Sequence, residues 1–116
     1  VLAPAVADEY NRLHLDYRRP LPRPPVRGQI IDAHTHLFAA RHAEVWFEAC
    51  DHFGIDKVVT MTPLEEAVCL QRDWSDRVRF IAIPHWQDRS DQWMDNWLVR
   101  LESFYNLGSR VIKFHS

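Results

Sequence analysis

Two histidines one residue apart, His34 and His36, close a short apolar run: Ile30-Ile31-Asp32-Ala33-His34-Thr35-His36-Leu37. An imidazole can ligate a metal, move a proton or simply satisfy a hydrogen bond in a core, and a lone histidine favours the last. Here the spacing decides. Successive side chains of a strand alternate faces, so Asp32, His34 and His36 are expected on one face and Ile31, Ala33 and Thr35 on the other. Two imidazoles on one face can reach a single cation about 2 Å from each ring nitrogen. The pattern points to a metal site with His34 and His36 as ligands. Asp32 is too close to them in sequence to act separately and is expected to orient them.

Lys113 and His115 are also two apart and share the face of a later strand, Arg110-Val111-Ile112-Lys113-Phe114-His115. A charged lysine one layer deep in a sheet interior is costly unless it is paired. Three arrangements relieve that cost: carbamylation to an anionic bridging ligand, a lowered pKa, or a substrate carboxylate opposite the ammonium. A stem buried along the sheet with its head in water relieves it without any function. His115 is a substrate-binding candidate at the end of the same strand. His85 ends another strand and is followed by Trp86, so the two are expected to line a substrate pocket.

The elements that must position these residues alternate. A strand over 29–36 leads to a helix over 40–53 with Ala43, Trp46, Phe47, Cys50 and Phe53 as its apolar stripe, and Gly54 is placed as a left-handed cap. A strand over 55–61 follows. Thr62-Pro63-Leu64-Glu65 then reads as a capping box opening a helix to about residue 74. The third strand covers 78–84. The longest helix begins at Ser90 or Asp91, carries Trp93, Trp97, Leu101 and Phe104 on one face, and stops at Gly108. The fourth strand covers 110–115. Strands separated by helices of this length must run parallel through right-handed crossovers. Their apolar character suits a covered sheet. A doubly wound sheet would carry a glycine-rich turn after the first strand; none is present, so part of a (β/α)8 barrel is expected, with its chemistry at the C-terminal ends of the strands.

Residues 1–28 are expected to be an N-terminal helix and a proline-rich linker. Val6, Tyr10, Leu13 and Tyr17 recur at helical spacing over 4–17, and the proline-rich run Arg18-Arg19-Pro20-Leu21-Pro22-Arg23-Pro24-Pro25 is an extended connector. The start, Val1 to Ala7, ends like a signal-peptide cleavage site but lacks the charged beginning and apolar length of one. With 47% apolar and 26% charged residues and a formal charge of −2, the chain has the composition of a soluble globular protein. No basic stripe suggests nucleic acid, and no stretch approaches a membrane span. Cys50 and Cys69 fall in helices without ligand spacing and read as small buried hydrophobes in a reducing, cytoplasmic setting.

Ile-Ile-Asp-Ala-His-Thr-His-Leu-Phe, followed by βα units and then Val-Ile-Lys-Phe-His, resembles the start of the amidohydrolase superfamily. The likeness is to its branch of amidohydrolase-related, metal-dependent TIM-barrel hydrolases and decarboxylases, and it covers residues 29–116. The resemblance implies that His34 and His36 are the first-strand ligands of a divalent cation, with zinc the expected ion. It also implies that Lys113 stands where some branches place a carbamylated bridging lysine. Hydrolysis of a C–N or C–O bond, or non-oxidative decarboxylation, of a small-molecule substrate would follow. The same Asp-x-His-x-His opening occurs in TatD-like nucleases and PHP phosphoesterases. The family's later ligands, a histidine ending strand five and an aspartate ending strand eight, would lie beyond Ser116. A closed barrel needs roughly 250 residues, so 29–116 is expected to be its N-terminal half within a longer, catalytically complete protein. A homo-oligomer of half-barrels is the alternative. A non-catalytic α/β assembly module, with sheet edges and tryptophans as contact surface, is the reading from a different class.

Overall fold

The computed structural model describes Asp16, Arg19 and residues 26–113. The expected helix over 4–17, most of the proline-rich connector, and Phe114 and His115 of the last strand lie outside the described residues.

Among the described residues, four strands and three helices alternate. They are β1 (Ile31–Thr35), α1 (Ala43–Phe53), β2 (Lys57–Thr60), α2 (Leu64–Trp74), β3 (Val78–Ala82), α3 (Trp93–Asn106) and β4 (Val111–Ile112). A short 3-10 turn, Ala40–His42, leads into α1. The strands form one all-parallel sheet in the order β1-β2-β3-β4. Each crossover advances by one strand in the same sense, so right-handed connections lay all the helices on one face. The sheet curls into half a barrel with its other face open. Among the described residues, no helix is long and apolar enough to cross a membrane.

The core lies between sheet and helices. Val58 pairs with Val78 and Thr60 with Phe80, which sets these four on the helical side. Against them pack Phe47 of α1, Ala67 and Leu70 of α2, and Trp97 and Phe104 of α3, all buried. Phe47 also stacks on Trp74, 4.6 Å between centroids, and carries the Arg77 guanidinium 5.0 Å above its ring. Gly54 ends α1 as expected: at φ 74° it takes the left-handed conformation that glycine adopts without a Cβ penalty. The chain then turns into β2, with the Ile55 amide donating to the Cys50 carbonyl at 2.8 Å. Cys50 is buried while Cys69 is only half-buried, and burial pushes the Cys50 thiol upward.

The capping box does not form. Pro63 precedes α2 with no side-chain cap, and its carbonyl accepts the Ala67 amide at 2.9 Å. Thr62 is wholly buried and turned toward β1, and Glu65 reaches Arg100 on α3 at 2.8 Å. A hydroxyl with a buried carbonyl in reach gains more from that partner than from a solvated helix end.

Candidate metal centre

The first strand is irregular where it matters. Asp32 lies opposite Val58 and Thr35 opposite Thr60, so three steps along β1 match two along β2. An extra residue in a strand resets its facing pattern. The expectation that Asp32 shares a face with the two histidines is therefore corrected. Asp32 lines a groove beside α1 with Trp46, Cys50 and Phe53, whereas His34 and His36 open onto the concave face. The carboxylate still acts locally, accepting the His34 backbone N–H at 3.1 Å. It braces the bulge and so sets the course of the strand carrying the rings.

His34 and His36 line a cavity of about 360 Å³ with Phe38, Met61, Ile83, Trp86 and Lys113. The imidazole centroids are 5.5 Å apart with planes tilted by 45°, and Phe38 lies 5.3 Å beyond His36. Two imidazoles sharing a tetrahedral ion, each nitrogen about 2.0–2.1 Å from it, hold their centroids about 5 Å apart. The observed separation is close to that value. Among the described residues, no group of three or more His, Cys, Asp and Glu side chains is gathered for a metal. Lys113 also lines this cavity.

Lys113 reaches the cavity because its amide donates to the Ala82 carbonyl at 3.0 Å, extending the β3–β4 pairing by one residue. Its side chain is exposed on the open concave face. The burial expected of it is not seen. His85 and Trp86 part company. Trp86 lines the histidine cavity, whereas His85 lines a separate concavity with Glu65, Asp88, Asn96 and Arg100. In that concavity Asn96 and Ser90 donate to Asp88 and hold its carboxyl down to about 2. The hydrogen bond from Arg100 likewise lowers Glu65. His115 lies outside the described residues.

Two buried residues outside the cavity hold the chain just after His36. Thr60 Oγ1 accepts the Leu37 amide at 2.8 Å, Thr62 Oγ1 donates to the Leu37 carbonyl at 2.6 Å, and the two hydroxyls lie 3.1 Å apart. Both threonines are fully buried. Both backbone groups of the residue after His36 are thus clamped to the end of β2. They stand at and just after the C-terminal end of β2. Thr62→Val keeps the shape and deletes the donor, leaving the Leu37 carbonyl without it. The expected cost is about 1–3 kcal/mol in chemical denaturation, while Thr62→Ser should retain most of the stability.

Compared with known proteins, the chain matches no family model, no curated protein and no solved structure.

Proposed function

We propose that the chain carries the first-strand half of the metal centre of a metal-dependent hydrolase, or non-oxidative decarboxylase, of the amidohydrolase kind on a TIM-barrel scaffold. One observation carries the reading: both imidazoles open into one cavity at the C-terminal end of a parallel, singly wound sheet, at a separation that suits a shared ion. Zinc is the ion best matched to imidazole donors in a tetrahedral arrangement. Bound there, it would supply Lewis acidity and a water acidified toward neutrality.

The chain's own residues do the rest. His34 and His36 offer ring nitrogens, and the Thr60–Thr62 clamp together with the Asp32 brace holds the strand that carries them. Lys113, in the same cavity, would orient a substrate carboxylate or carbonyl, or, carbamylated by CO2 with loss of a proton, would add an anionic donor for the metal. Phe38 and Trp86 supply apolar walls for the substrate's body. His85 has no part in this cavity.

The assembly-module reading has an observation of its own. Ile31 on β1 and Val111 and Ile112 on β4 are 51%, 51% and 47% exposed, and unpaired parallel edges with apolar side chains invite another strand. The two readings separate on metal content. Equilibrium dialysis against buffered zinc should give one ion per chain, lost in His34→Ala but kept in His85→Ala. A protein that stays metal-free, or that loses no zinc in His34→Ala, contradicts the enzyme reading.

A further inference from the structure

The sheet has two unlike edges, and each complements the other. Its strands run parallel in the order β1-β2-β3-β4, so a β4 laid against the outer side of β1 continues the same sheet. The backbone groups of a parallel strand turn alternately to its two neighbours. The Ile30 carbonyl accepts from Asp56 and Lys57 on the β2 side, and the Lys113 amide donates to Ala82 on the β3 side. By alternation, the N–H and C=O of Ile31 and of Ile112 face outward from the two ends of the sheet.

The side chains along these edges match as well. Ile31 lies opposite Lys57, one residue before Val58 of the helical side, and Val111 lies opposite Ile81, between Phe80 and Ala82. Both therefore point to the concave face, where each is 51% exposed. The interior of a closed barrel is a packed core, and closure would bury both. On the helical side, the charges are opposite. Asp32 stands near the start of β1 beside α1, and Arg110 stands just before β4, its guanidinium 4.0 Å above the Tyr105 ring of α3.

Curvature sets the number of copies. A parallel β/α barrel closes at eight strands, and these four make half of its wall. Two copies related by a two-fold axis leave no edge open, which is the closed symmetry that oligomers favour.

We propose that two copies of this chain close one barrel, β4 of each pairing in parallel with β1 of the other. Ile31 and Val111 then pack inside, and Asp32 meets Arg110 across each seam. The partner's Lys113 comes to stand on the strand next to His34 and His36, whereas the chain's own Lys113 lies on the third strand away. That last consequence rests on reading the histidine cavity as a metal centre; the pairing itself does not.

The test is therefore made on the full chain without metal. Sedimentation equilibrium in the presence of EDTA should give twice the chain mass, and the His34→Ala/His36→Ala variant should dimerise equally. Ile31→Glu and Val111→Lys should each weaken the dimer at least a hundredfold. Mixed in equal amounts, they should restore it, because one seam of the mixed dimer is native and the other sets glutamate against lysine. A monomer at every concentration, an open series of larger oligomers, or a dimer that survives both substitutions would overturn the proposal. So would a mixture that stays monomeric, since like edges would then be paired. Hydrogen exchange of the native chain checks the seam without any substitution. On dilution into the monomer, the Ile31 and Ile112 amides should exchange at least tenfold faster while those of β2 and β3 stay unchanged; no acceleration at the two edges overturns the proposal.

Discussion

Replacing Phe80 with alanine should cost about 3–5 kcal/mol, the range for truncating a fully buried aromatic side chain. Phe80 is 1% exposed on the helical side of β3, in the cluster that also holds Phe104 at 0%. The lost ring removes transfer free energy and leaves a void that packed neighbours fill only in part. Native domains are stable by about 5–15 kcal/mol, so the variant should populate unfolded chain at room temperature. Phe38→Ala supplies the contrast. Phe38 is 61% exposed on the concave side, and its truncation should fall within about 0.5 kcal/mol of the native chain. Urea denaturation of both variants measures the difference. Similar losses from both would mean that the sheet buries its concave face as deeply as its helical one.

The second large effect belongs to the metal. A ligand that binds only the folded state stabilises it by about 2.7 kcal/mol at a hundred times its dissociation constant. For a domain of this size each kcal/mol raises the melting temperature by about 4–8 °C. Saturating zinc should therefore raise the melting temperature by about 10–20 °C on the same scale. In the His34→Ala/His36→Ala double variant the increase should vanish, because no imidazole then faces the cavity from β1. His52→Ala, far from that cavity on α1, should keep it. Differential scanning calorimetry with and without zinc reads all three. An increase that survives in the double variant would place the ion elsewhere.

The parts of this architecture set by local pattern were readable in the chain. Apolar stripes at helical period marked α1 and α3, the β-branched run Val58-Val59-Thr60 marked β2, and Gly54 turned up in the left-handed cap that its position after Phe53 suggested; α2 was expected from a capping box that does not form. The absence of a glycine-rich turn after β1 pointed away from a doubly wound sheet, and the strand order agrees. The same reasoning set His34 and His36 side by side on one face, and they share a cavity.

What escaped was set by partners distant in sequence. The bulge in β1 depends on how Asp32 and Thr35 meet Val58 and Thr60. Strict alternation along Asp32-Ala33-His34 holds no trace of it. Thr62 and Glu65 have the spacing of a cap, but Leu37 and Arg100, 25 and 35 residues away, compete for them. His85 and Trp86 follow the last paired residues of β3, and their side chains enter different concavities. A residue type and its spacing suggest what chemistry is possible; which face the residue reaches is decided by the strand that pairs with it.

The account turns on two imidazoles acting together on one ion. The most direct measurement is a zinc titration of the isotopically labelled protein followed by the ring resonances of all its histidines, assigned through the single His→Ala variants. The account predicts that the His34 and His36 signals shift in concert and saturate at one equivalent of zinc, with His42, His52 and His85 left in place. Movement of His34 without His36, or of the other histidines first, would contradict it.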